Sequence, residues 1–140
     1  MKKYYVCGFL FSEDYSRIVL IKKNKPDWQK NLLNGIGGKI ELIDGGSLDA
    51  QIREFKEEAG VEIKSWKQFL KLEGDSSVVT FFHATGNVDL VRTAEDKGEE
   101  VFAYNTDYIF NNFDQCVPNL NWILRLVLIN DKFTGQINIG

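Results

Sequence analysis

Between Ser47 and Gly60 the chain reads SLDAQIREFKEEAG, and no other stretch limits its possible folds as much. At about 100° per residue, Leu48, Ile52, Phe55 and Ala59 fall within roughly 60° of one another, a stripe suited to packing a helix onto another layer. Ser47 offers an N-cap and Gly60 a stop. Glu54, Glu57 and Glu58 fall within roughly 100° on the opposite side. Such a helix cannot stand alone, because its apolar stripe needs a second layer to cover it.

The flanking sequence supplies that layer. KYYVCGFLF and RIVLIKK are β-rich runs joined by SEDYS, a hairpin pattern, and WKQFLKLE and SSVVTFFHATG form another pair around GDS. VFAYN is a further short strand, and PNLNWILRLVLIND runs helically through Trp122, Leu126 and Ile129. NKPDWQKNLLNGIGG is too broken by Pro26 and glycine for a regular element, and LVRTAEDKGEE reads as a polar loop. The order predicts an α/β (α+β) fold, an α/β/α sandwich on a central mixed sheet, as one domain over residues 1–140.

Hydrophobic residues at 44% and charged residues at 26% fit one globular core. A net charge of −3 gives no basic footprint for duplex nucleic acid. No run of about twenty apolar residues exists to span a membrane, and the N-terminus lacks a signal-peptide cleavage pattern. Cys7 and Cys116 have no metal-type spacing and fit reduced thiols in a cytoplasmic protein.

Three glutamates at this spacing can hold a hard divalent cation, which takes oxygen ligands from one or two carboxylates, phosphates and water. Gly35, Gly37 and Gly38 let backbone approach closely, and a carbonyl there would be one more oxygen ligand. A solvated acidic face is the alternative. Each exposed like-charge pair costs only about 0.2–0.5 kcal/mol.

The lead-in GIGGKIE and the run Arg53, Glu54, Phe55, Lys56, Glu57, Glu58, Ala59, Gly60, Val61 resemble the Nudix box, G-x5-E-x7-R-E-U-x-E-E-x-G-U with U bulky and apolar. The chain departs from the pattern once. The first glutamate belongs eight residues before the arginine, where this chain has Gly45; from Gly38 to Arg53 it is one residue too long, and Asp44 is the acid available to stand in.

The resemblance implies a Nudix-like fold and hydrolysis of a nucleoside diphosphate linked to another group, with Mg²⁺ or Mn²⁺ as cofactor. The partner would be a small nucleotide, most plausibly a nucleoside triphosphate or oxidised nucleotide as in MutT-like members, and the protein a monomer or homodimer. ADP-ribose or a nucleotide-sugar is an alternative substrate, and a nucleotide-binding module without catalysis another. It implies Glu54, Glu57 and Glu58 as metal ligands, helped by the carbonyl of Gly38 or Gly37, with Arg53 orienting the glutamates. A later-loop acid would come from Glu95, Glu99 or Glu100, with Glu100 taken as the catalytic candidate. Trp28, Lys39 and Asn119 are the substrate-contact candidates. For Trp28 a core or rim position, and for Asn119 a helix cap, are the alternatives. His83 reads as a strand residue.

Overall fold

A computed structural model describes residues 1–94, 98–129 and 132–139. Within these, strands β1 (Lys3–Phe11), β2 (Arg17–Lys22), β3 (Leu33–Asn34), β4 (Ile36–Lys39), β5 (Lys67–Glu73), β6 (Ser77–Thr85), β7 (Glu100–Asn105) and β8 (Gly135–Asn138) form one sheet. The helices are α1 (Ser47–Ala59), α2 (Thr106–Phe110) and α3 (Leu120–Ile129). The path runs β3-β2-β1-β6-β5-β8, with β4 on β1 and β7 on β2. β1–β6 and β5–β8 are parallel and the other pairs antiparallel, so the sheet is mixed as expected.

β1 is central and buried from Val6 to Phe11. Because strand side chains alternate, it feeds two cores. Phe9, Phe11, Leu20, Phe69 and Phe81 join Leu120, Ile123 and Val127 of α3 on one face. Val6, Leu10, Val19, Ile21 and Phe82 join Ala50, Phe55 and Ala59 of α1 on the other.

Several local expectations are corrected. Ser47 is the first helical residue rather than the cap; Gly46, at φ 131°, takes that place without a side-chain bond. Leu48 has the right angle for the stripe but lies in the first turn and is 43% exposed, while Gln51 is fully buried in its stead. The connection after β2 contains a 3₁₀ turn at Asp27–Gln29 and the strands β3 and β4, because pairing with β1 and β2 orders a glycine-rich segment that propensity alone does not. α3 buries Leu120, Ile123, Leu124 and Val127, whereas Trp122 and Leu126 are only partly covered and Ile129 is exposed. α2, capped by the Asn105 side chain on the Tyr108 N–H, and β8 were not legible as elements. Among the described residues no helix is long and apolar enough to cross a membrane.

Candidate active site

The acidic helix face meets β4, and Arg53 organises the junction. Its Nε and Nη2 each donate to one oxygen of Asp44 at 2.8 Å, the paired geometry that suits a guanidinium and a carboxylate. Nη1 donates to Glu54 Oε1 at 2.9 Å and more loosely, at 3.4 Å, to Glu57; Nη2 also reaches the Lys39 carbonyl at 3.2 Å. Asp44 therefore occupies the contact with Arg53 left open by Gly45. It also closes its own turn, accepting the Glu41 N–H at 2.8 Å. The Gly45 N–H donates to Asp49 Oδ2 at 3.1 Å, and a Cβ at Gly45 would displace that carboxylate.

The charges respond to this packing. Hydrogen bonds from Arg53 hold the Asp44 carboxyl below the usual aspartate range, and Asp44 in turn raises the basicity of the guanidinium. Glu54 is pushed up, because burial outweighs the help of Arg53 and Glu57 and Glu58 add repulsion. Glu57 is exposed and Glu58 half-buried at the rim.

Gly38 lies against the Glu54 carboxylate at the junction. A Cβ on Gly38 would lie 2.7 Å from the Glu54 carboxylate carbon, so a side chain there would displace that carboxylate. The two glycine carbonyls are not equivalent. The Ile40 N–H donates to the Tyr4 carbonyl at 3.0 Å, and Val6 lies opposite Gly38 two residues further along. Antiparallel pairs alternate between bonded and non-bonded, which turns Gly38 and Ile36 toward β1 and Gly37 and Lys39 away from it. The Lys39 carbonyl on that outer side is taken by Arg53.

The donor types suit a hard divalent cation: carboxylates at i, i+3 and i+4 beside an outward glycine carbonyl, all oxygen. Among the described residues no three acidic, histidine or cysteine side chains lie close enough together to hold an ion as they stand. Glu54 and Glu57 are turned onto Arg53.

Of the later-loop acids, Glu95 lies outside the described residues. Glu99 Oε2 accepts the Asn24 N–H at 2.8 Å and the Lys25 N–H at 3.3 Å and sits 3.5 Å from Lys23 Nζ, which ties the carboxylate to the segment after β2. Glu100 opens β7, opposite Lys22 in the register, and is exposed.

Trp28, Lys39 and Asn119 are brought together elsewhere, around a cavity of about 700 Å³ on the α3 face. Its floor is apolar, with Val79, Phe81, Leu120 and Ile123. Among the described residues its charged side chains are Lys3, Lys23 and Lys39, with no carboxylate in the lining. Gly37 and Gly38 also line it, so β4 borders both the cavity and the acidic helix. Trp28 is 64% exposed at the rim and not a core residue. Asn119 adopts φ 80° and its Oδ1 accepts the Trp122 indole N–H at 3.0 Å. His83 is buried, with its ring 5.3 Å from Phe69 in an edge contact.

Gln29, Asn34 and Cys7 also line the cavity, and no local pattern marks them as site residues. Asn34 Oδ1 accepts from the Gly35 N–H at 2.8 Å and the Cys7 thiol at 3.7 Å, while its Nδ2 donates to Gln29 Oε1 at 3.3 Å. That network engages both ends of the Asn34 amide. The only signal was a carboxamide directly before the glycine run. Both cysteines are buried free thiols, and burial pushes Cys7 up to about 12.

Residues 1–135 match the family model described as the NUDIX domain. Among curated proteins no sequence matches. Solved structures with the same fold include a MutT from a study of Aliivibrio salmonicida and Vibrio cholerae, at 22% identity and TM-score 0.74, covering 92% of this chain and 98% of that one. The mutator MutT protein of Bacillus halodurans aligns at 17% identity and TM-score 0.73, over 97% and 89% of the two chains. The NUDIX domain of Shewanella oneidensis NrtR, solved with ADP ribose, aligns at 17% identity and TM-score 0.74, over 91% and 89%. At these identities the likeness is one of fold.

Proposed function

The chain belongs to the NUDIX family, hydrolases of nucleoside diphosphate derivatives, and from that premise we propose a Mg²⁺- or Mn²⁺-dependent pyrophosphohydrolase whose substrate is a small nucleotide. The observation that carries this reading is the position of β4. One side of this strand faces the Arg53-organised glutamates, and its glycines line a cavity whose charged side chains, among the described residues, are lysines.

Glu54, Glu57 and Glu58, with the Gly37 carbonyl, would hold the cation. When bound, the ion supplies neutralisation of phosphate charge and a more acidic attacking water. Arg53 keeps the glutamates in place and compensates part of their repulsion before substrate arrives. Asp44 holds Arg53 by two bonds, which frees the rest of its guanidinium for Glu54 and Glu57. A carboxylate of α1 takes the proton from the attacking water. Lys39 and Lys23 draw the anionic chain toward β4, and Trp28 offers a face on which a base can stack. Asn119 borders the same space, although its Oδ1 is already engaged by Trp122.

A nucleoside triphosphate is the substrate we favour, since the apolar floor with carboxamides at its edge suits one planar base. ADP-ribose is the second reading, supported by the ligand of the NrtR domain. Product analysis after incubating a nucleotide panel with Mg²⁺ tests both. Hydrolysis that survives complete chelation overturns the metal-dependent mechanism, and tight nucleotide binding without any turnover leaves a binding module instead.

A further inference from the structure

Gln51 is fully buried, and its side chain is a polar group without an evident task in the reaction. Its Nε2 donates to the Ile36 carbonyl at 3.0 Å, and its Oε1 has no hydrogen-bond partner among the described residues. An apolar residue at this place would avoid leaving that oxygen orphaned, so the amide is not explained by packing. Room for it comes from β1. A Cβ on Gly8 would lie 2.1 Å from Gln51 Nε2, so the bare glycine opens the sheet backbone to the carboxamide.

The location is specific. Gln51 stands one turn before Glu54 and two before Glu58 on the same helix edge, since positions three and seven apart align. Its partner, Ile36, immediately precedes Gly37 and Gly38. Arg53 binds the Lys39 carbonyl on the far side of the same two glycines. α1 thus grips β4 at both ends, from beneath through Gln51 and at the rim through Arg53. The interval between these grips contains the Gly37 carbonyl and the Gly38–Glu54 contact.

We infer that Gln51 is a positioning residue for the cation site: its bond to Ile36 sets the spacing between the glutamates of α1 and the glycine backbone of β4. The inference rests on the metal-dependent reading above. Gln51 touches neither ion nor nucleotide.

The test is Gln51→Met, which keeps the volume and removes both polar atoms, with Mn²⁺ affinity read by electron paramagnetic resonance on the full chain. Leu48→Ala, on the same helix but exposed, is the control. Gln51→Met should weaken Mn²⁺ binding by about tenfold, in the manner of groups that orient metal ligands. It should raise the Mg²⁺ concentration needed for half-maximal turnover, leave KM for nucleotide at saturating metal unchanged, and melt no lower than wild type. If the methionine fails to fold, Gln51→Ala is read in the same way at a temperature below its transition. Wild-type Mn²⁺ affinity in a folded Gln51 variant overturns the inference alone. Absence of Mn²⁺ binding by the wild-type chain overturns the metal reading and this inference with it.

Discussion

On the α1 side of the sheet, Phe55 meets Trp66 edge to face at 5.1 Å, and Ala50, Phe55 and Ala59 are sealed against β1. On the α3 side, Phe9 stacks on Phe81 at 6.2 Å and Phe69 leans on both, yet the layer stops short of β4 and leaves a cavity of about 700 Å³. The two faces share the same kinds of apolar side chain and differ in closure. A sealed face can carry a crowd of like charges on its outside, because packing rather than the charges holds the helix down. An open face gives up contact area and gains room for a ligand.

The largest effect should come from breaking the seal. Phe55→Ala empties a fully buried ring site and should cost about 3–5 kcal/mol in denaturant unfolding. Phe81→Ala, whose ring borders the cavity, should cost no more than the low end of that range, about 3 kcal/mol. Equal losses would mean the two faces are packed alike.

Next in size is the charged exterior of the sealed face. Glu57→Gln and Glu58→Gln should each lower turnover by at least about a hundredfold, close to 2.7 kcal/mol of transition-state stabilisation. Without metal their stability should stay within about 1 kcal/mol of wild type, the scale of exposed charge pairs. Variants that unfold but retain specific activity would show these carboxylates to be structural.

Asp44→Asn should reduce metal affinity or turnover by about tenfold, as loss of an orienting partner does. The same variant has a signature in pH. Since Arg53 lowers the carboxyl's pKa in the folded chain, the unfolded chain binds this proton more tightly. The stabilisation is complete above the ordinary aspartate range and is lost as pH falls through the lower folded value. Urea melts across acid pH should show that limb in wild type and not in Asp44→Asn.

The smallest effect belongs to the open face. Trp28→Ala should raise nucleotide KM several-fold while leaving Mn²⁺ affinity and melting temperature unchanged, because the ring is 64% exposed at the rim. A change in Mn²⁺ affinity would mean that cavity and cation site are not separable.

How far these features could be read beforehand depended on range. The helix from 47 to 59 and the long strands were legible because each carries its own periodicity or β-branched run. The acidic face was legible for the same reason. Gln51 was not, since a polar residue at a core angle looks like a break in the stripe until Gly8 of β1 is seen beneath it. β4 resembled a loop because its glycines become strand only through β1. Asn34 and Gln29 needed the tertiary fold to meet Cys7, and the engagement of Glu99 with Asn24 and Lys25 joins segments with no local relation. The extra residue before Arg53 was visible in the sequence, but that Asp44 grips one edge of the guanidinium through both its oxygens was not.

The parallel ladder of β1 with β6 joins Lys3 to Ser77 and Phe11 to Thr85, and this pairing sets a timetable for folding. Gln51 finds Ile36 across a separation of 15 residues, a loop that closes at small entropic cost. The cavity is assembled from residues between Met1 and Ile123 and cannot exist until that distant pairing is made. The loop lengths predict that the acidic helix and its glycine strand come together early in folding and that the cavity is completed late. Native-state hydrogen exchange should find the matching order in reverse, with amides around the cavity opening at lower free energy than those joining α1 to β4.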